Sequence, residues 1–263
     1  MGQAILWAAG GTGFTFLMTA LGAALVFFFR REMSENVQRV FLGFAAGVMI
    51  AASVWSLLIP AMEEAEAMGL PGALPAAGGL ILGVAFLMVL DGLMPHLHVG
   101  AKAPEGRPSS WKRTTLLVLA VTMHNIPEGM AVALSFSVAA ADPAEGAFAG
   151  AVALALGMAL QNFPEGAAVS LPLKAQGVGA GKAFACGALS GVVEPVFGLL
   201  TVLIAGRVLA VMPWLLTFAA GAMLYVVVEE LIPEARLGEH SNAGTLSVLA
   251  GFLTMMMLDV LLG

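Results

Sequence analysis

Apolar residues fill this chain in long runs, and short clusters of glycine, proline or charge interrupt them. The runs cover about 3–29, 40–60, 73–94, 113–140, 147–172, 180–207, 213–232 and 244–262. A helix rises about 1.5 Å per residue, so roughly twenty apolar residues cross the ~30 Å hydrocarbon core of a bilayer. No water is available there to satisfy backbone N–H and C=O groups, so each spanning segment must pair its own. The pattern predicts an all-α, polytopic membrane protein with eight transmembrane helices in a single domain.

Composition agrees. Of the 263 residues 60% are hydrophobic and 11% charged, and the mean hydropathy is +0.95. Soluble domains have about 45–50% apolar and 25% charged residues. The 32 glycines suit close helix packing and the 16 methionines suit gap filling. One cysteine, Cys186, rules out an intramolecular disulfide framework and a multi-thiolate metal cage.

The net charge of −6 says less than where the basic residues fall. Arg30, Arg31 and Arg39 lie between segments one and two, and Lys102, Arg107, Lys112 and Arg113 between three and four. Lys174 and Lys182 lie between five and six, and Arg236 between seven and eight. Only Arg207 falls on the other side, where Glu63, Glu64, Glu66, Asp142 and Glu145 gather. The positive-inside rule therefore puts both termini on the non-cytoplasmic side. Segment one has no basic start and is followed by Arg30 and Arg31, so it is expected to be a retained helix and not a cleaved signal. Trp7, Trp111 and Trp214 near segment ends fit an aromatic belt.

The chain also repeats itself. Segment two holds Phe44-Ala45-Ala46-Gly47-Val48-Met49 and ends in Leu58-Ile59-Pro60; segment seven holds Phe218-Ala219-Ala220-Gly221-Ala222-Met223 and ends in Leu231-Ile232-Pro233. Gly83 precedes Asp91 by the same interval as Gly251 precedes Asp259, each aspartate following a leucine. Segments one to three thus match six to eight, five segments on, an odd number that predicts a 3+2+3 inverted repeat. Repeat one spans 1–98, the central pair 111–172 and repeat two 180–263.

The chemistry sits in the middle of the chain. Segment four reads His124-Asn125-Ile126-Pro127-Glu128-Gly129 and segment five Gln161-Asn162-Phe163-Pro164-Glu165-Gly166. A carboxylate at a helix centre costs about 2.5–3.5 kcal/mol, so Glu128, Glu165 and Glu194 together cost on the order of 8–10 kcal/mol unless a cation or an aqueous path compensates. Helical spacing puts His124 and Asn125 on the face of Glu128, and Gln161 and Asn162 on that of Glu165. Pro127, Pro164 and Pro195 cannot donate to the carbonyls of Met123, Leu160 and Gly191, which loosens each helix locally. Imidazole, carboxylate and amide donors without thiolate suit zinc, are compatible with manganese or ferrous iron, and match cuprous copper poorly.

These paired motifs, with the rest of the chain, resemble the ZIP (Zrt/Irt-like protein) metal transporters, most closely their prokaryotic and GufA-like branch. The resemblance implies that His124, Glu128, Gln161 and Glu165 bind one ion with Met49 nearby, and that Asn125, Asn162 and Glu194, with Glu128 and Glu165 bridging, bind a second. It also implies a cytoplasmic exit path through Asp91, His96, His98 and Glu230. Where relatives commonly have His-Glu before Leu-Ile-Pro this chain has Glu229-Glu230, so Glu229 joins that path as an extra carboxylate.

By the same resemblance the cargo is Zn2+ or a similar divalent cation such as Cd2+, Fe2+ or Mn2+. Helices one, four, five and six would move as a unit against two, three, seven and eight, within a homodimer in the bacterial inner membrane. No enzymatic cofactor and no nucleic-acid partner are expected. Two other classes remain compatible with a membrane bundle of this kind. An intramembrane metalloenzyme would be expected to carry His-Glu-x-x-His, which is absent. A divalent-cation channel would share the same site and differ in needing no conformational cycle.

Overall fold

A computed structural model describes residues 2–29, 34–93, 113–141, 146–205, 209–235 and 242–262. His96, His98 and Trp111 lie outside the described residues, and so does the side chain of His124. Eight membrane helices follow in chain order. α1 is Gly2–Ala24, tightening to a 3-10 turn over Leu25–Phe27. α2 runs over Glu35–Ala52, continues through π turns at Ser53–Leu58 and ends in Ile59–Ala67. α3 is Ala73–Leu93, α4 Arg113–Ala141 and α5 Ala147–Ala175. α6 comprises Ala180–Ser190 and Val193–Ala205. α7 runs over Met212–Val226, passes through π turns at Val227–Leu231 and ends in Ile232–Ala235; α8 is Asn242–Leu262. Among the described residues seven of these are long and apolar enough to cross a membrane. α4 is also long enough, at 29 residues, and carries the polar run from His124 to Glu128 in its middle.

The helix ends are set by local chemistry. The Ser34 side chain accepts from the Val37 N–H and starts α2 several residues before the apolar run, so Arg39 lies in its first turns. At the far end Pro60 does not stop the helix. Pro60 has no N–H, and the π turns just before it relax the ladder enough for a further helical stretch, which carries Glu63, Glu64 and Glu66 beyond the predicted end. That stretch closes at Gly69 (φ 77°), where the Leu70 N–H reaches the Ala65 carbonyl at 3.0 Å. α5 closes the same way at Gly177 (φ 89°), with the Val178 N–H on the Leu173 carbonyl at 3.1 Å. Only glycine adopts this left-handed geometry without strain. α6 breaks at Gly191, whose carbonyl, expected to be left free by Pro195, accepts instead from the Glu194 N–H at 3.0 Å.

Side-by-side packing follows the glycines. A Cβ at Gly47 would meet the Val248 carbonyl, and one at Gly251 the Phe44 carbonyl, so α2 and α8 touch backbone to backbone. Gly83 and Gly221 do the same between α3 and α7, against the carbonyls of Phe218 and Leu80. α1 meets α5 where Gly22 faces the Phe163 carbonyl and Gly166 the Thr19 carbonyl, and α4 meets α6 where Gly129 faces Glu194. Without a hydrophobic drive between helices in lipid, such close approach supplies much of the packing attraction.

Gly47→Ala should therefore destabilise the protein by about 1–3 kcal/mol, the usual cost of overpacking. Gly10→Ala, whose added Cβ meets nothing within 4 Å, should leave stability unchanged. Thermal unfolding of both variants in one detergent checks the contrast.

Candidate functional site

Four helices bring their polar residues together halfway along their lengths. α4 contributes Asn125 and Glu128, α5 contributes Gln161, Asn162 and Glu165, α6 contributes Glu194, and α1 adds Thr15 and Thr19. The glycine closing each Pro-Glu-Gly motif permits the convergence. Gly129 admits the Glu194 backbone against α4, and Gly166 admits α1 at Thr19 against α5.

Burial at this cluster is nearly complete. Asn125, Asn162 and Glu194 are 0% exposed, Glu128 1% and Gln161 2%. Glu165 is partly exposed as a residue, yet both its carboxylate oxygens are buried. The Gln161 Nε2 donates to Asn162 Oδ1 at 2.5 Å, and the Asn162 Nδ2 donates to Glu194 Oε2 at 2.9 Å and to the Thr15 carbonyl at 3.4 Å. Thr19 Oγ1 donates to Glu194 Oε1 at 3.3 Å, and Asn125 Nδ2 to the Ser190 carbonyl at 3.0 Å. Four buried oxygens of the cluster have no hydrogen-bond partner among the described residues: Asn125 Oδ1, Glu128 Oε2 and both carboxylate oxygens of Glu165. Glu128, Glu165 and Glu194 also lie close enough for their charges to act on one another.

Buried acceptors left unsatisfied in this number are uncommon in native proteins, and each calls for a partner. Acidic oxygens with free lone pairs accept only donors or cations. Such an arrangement can accept a hydrogen-bond donor, a proton or a cation. Among the described residues no three His, Cys, Asp or Glu side chains form a ready-made metal cage.

The expected exit-path residues are partly placed. Asp91, near the end of α3, accepts from the Tyr225 hydroxyl at 3.3 Å. Glu229 is exposed and Glu230 buried, both in the π turns of α7. Asp91, Glu229 and Glu230 all bear electrostatically on Tyr225, and Glu230 alone of the α7 acids also bears on Glu165 of the central cluster. Met49 is 1% exposed in the main apolar core, and its carbonyl accepts from Ser53 Oγ at 2.7 Å. Asp259 accepts from Ser56 Oγ at 2.7 Å.

Sequence reasoning passed over Thr15, Thr19, Ser190 and Tyr225. Thr12, Thr15 and Thr19 do carry a signal, because their spacing puts three hydroxyls on one face of an otherwise apolar helix, and all three are fully buried. Tyr225 is the only tyrosine in the chain. Nothing local marks Ser190, whose backbone role depends on how α6 packs against α4.

Residues 109–259 match the family model described as ZIP Zinc transporter. The chain is 39% identical to the zinc transporter ZIP11 of Homo sapiens, over 96% of this chain and 96% of that protein. It is 41% identical to the zinc transporter GufA of Myxococcus xanthus, over 93% and 94%. It is also 39% identical to the zinc transporter ZIPB of Bordetella bronchiseptica, over 100% and 82%.

Buried carboxylates facing one another destabilise the ion-free chain, so Glu128→Gln should raise its melting temperature in the presence of chelator. Wild type should gain about 2.7 kcal/mol of stability when Zn2+ is present at a hundred times its dissociation constant, and Glu128→Gln should lose most of that gain. Paired thermal melts with and without Zn2+ test both signs.

Proposed function

This chain belongs to the ZIP zinc transporter family, and from that premise we propose that it carries divalent metal ions, zinc foremost, into the cytoplasm through the buried cluster of α4, α5 and α6. Family members are transporters and not enzymes, so no catalytic step is assigned to these acids. The observation that carries the reading is the set of unpartnered oxygens on Asn125, Glu128 and Glu165. An ionised carboxylate held away from water and from protein donors is costly unless a positive charge lies opposite it or it takes up a proton. Gln161, His124 and Met49 complete the surroundings that family resemblance implies, and Asn162 and Glu194 close the cluster on the α1 side. Mixed oxygen donors release an ion more readily than the closed thiolate cages of structural zinc, which suits a carrier. Cd2+, Fe2+ and Mn2+ share enough of this chemistry to be candidate cargo.

Release toward the cytoplasm would pass Glu230, Glu229 and Asp91, with His96 and His98 in the segment after α3. The basic residues of the loops on that side support, by the positive-inside rule, an orientation with both termini on the non-cytoplasmic side. The crosswise glycine contacts support an inverted repeat. Gly47 of α2 meets α8 as its counterpart Gly221 of α7 meets α3, and π turns precede Leu-Ile-Pro's proline in both α2 and α7.

The same contacts support an elevator-type cycle. Glycine-mediated backbone approaches tie α1 to α5, α5 to α6 and α4 to α6, and separately α2 to α8 and α3 to α7. Across the divide between these groups Gly157 of α5 meets only side chains, those of Met255 and Val48. Side-chain contacts slide more easily than locked backbones, so this boundary is the natural plane of motion between outward- and inward-facing states. Two such chains would form the homodimer that the family resemblance implies.

Zn2+ uptake into proteoliposomes tests the proposal. Wild type should saturate with metal concentration and slow steeply on cooling, whereas a channel would respond weakly to temperature. Glu165→Ala should reduce uptake to background at normal expression. Wild-type flux in that variant would count decisively against the site.

A further inference from the structure

We infer that a crevice between α1 and α5 binds one acyl chain of a bilayer phospholipid, at a place separate from the ion cluster. α1 and α5 run parallel and in step. The Trp7 ring packs on that of Phe148 with centroids 4.5 Å apart, and the same number of residues further on in both helices Gly22 faces the Phe163 carbonyl. Toward their C-terminal ends the two helices touch backbone to backbone, at Gly22 and Gly166. Toward their N-terminal ends they leave the crevice. Leu6, Gly10 and Phe14 recur every fourth residue down one face of α1, and Phe148, Val152 and Leu156 do the same on α5. The space between these stripes is about 280 Å3. At 1.5 Å of rise per residue each stripe is roughly 12 Å long.

The walls fit hydrocarbon. Gly11, Ala155 and Phe136 of α4 are the buried part of the lining, and the Phe136 ring lies 5.8 Å from that of Phe148, so Trp7, Phe148 and Phe136 form one continuous aromatic wall. Trp7 is the only lining residue with a polar side-chain atom, and it sits at the end of the crevice nearest the helix N-termini. An apolar cavity of about 150 Å3 already takes up benzene and stays dry, so this one has room for roughly twice that much hydrocarbon. The two adjacent glycines of α1 differ. A Cβ at Gly11 would strike Phe136, so that glycine serves helix packing, whereas a Cβ at Gly10 meets nothing within 4 Å. The bare backbone at Gly10 leaves the strip from Leu6 to Phe14 open to a slender guest.

The rim identifies the guest. Leu6 is 71% exposed, Phe148 46% and Phe14 38%, all on helices that cross the membrane, so the crevice opens sideways into the hydrocarbon of the bilayer. A chain of methylenes is the molecule at hand there, and it brings no polar atom that would be left without a partner. Tryptophan favours the level of the headgroups, so the glycerol end of the lipid lies at the Trp7 end of the crevice. A helix from a second copy is about 10–12 Å across and could insert single side chains without filling the length. The acyl chain completes the seam between α1 and α5 in the half away from Gly22 and Gly166, and reaches Phe14, next to the Thr15 carbonyl that accepts from Asn162.

Photolabelling tests this, with the full chain in detergent and a phosphatidylcholine that carries a diazirine midway along one acyl chain. Labelled residues are located by mass spectrometry. In wild type, labelling should concentrate on the stretches 6–14 and 148–156, saturate at about one lipid per chain, and be displaced by unlabelled phosphatidylcholine. Gly10→Leu and Val152→Phe, which fill the crevice from opposite sides, should each lower the saturable labelling about tenfold. Leu82→Phe, at an exposed position on α3, should label as wild type does. Labelling that spreads over the exposed faces of α3 and α8 and rises linearly with lipid would overturn the inference, as would undiminished saturable labelling in both filled variants. Wild-type labelling that disappears when the chain dimerises, as read by size-exclusion chromatography, would put a second copy in the crevice and overturn it as well.

Discussion

Three carboxylates buried within a membrane bundle set the terms for everything around them. Each is costly to remove from water, and their mutual repulsion adds to the cost. The bundle offsets this unevenly. Glu194 accepts from Asn162 and Thr19, while Glu128 and Glu165 keep oxygens that no described residue satisfies. Had all three been fully hydrogen-bonded, the cluster would read as an interhelical polar staple.

The surrounding architecture is what such a cluster requires. Four helices can reach one point only if their axes come close, and the glycines that end the Pro-Glu-Gly motifs allow that approach. Two roles thus share one short motif. Its acid supplies charge and its glycine supplies room, with the proline before them loosening the helix on which both sit. The outer group of helices, α2 with α8 and α3 with α7, is locked by its own glycines and meets the inner group through side chains such as Met255. Methionine is a suitable surface there, being flexible and without a strong preference for one packing.

Much of this was readable in the chain before any coordinates, and the reason is physical. A bilayer imposes length and apolarity so strictly that eight segments stand out by composition, and intramembrane acids are rare enough for Glu128, Glu165 and Glu194 to announce themselves. What escaped depended on hydrogen-bond patterns that cross helices or alter a helix from within. Pro60 looked like an end because proline usually is one, and the π turns that carry α2 past it have no residue signature. Thr19 looked like a small residue in an apolar run, and only its contact with Glu194 gives it a role. Tyr225 likewise acquires meaning from Asp91, which is distant in sequence. His124, His96 and His98 complete the expected ligands and path by sequence alone, as they fall outside the described atoms.

The central claim is that open oxygens of α4 and α5 surround a divalent cation. Anomalous diffraction from crystals grown with Cd2+ addresses it most directly. A strong anomalous peak is expected between the carboxylates of Glu128 and Glu165, within bonding distance of Asn125 Oδ1. A map with density only at the acidic helix ends and loops, and none between those two acids, would contradict it.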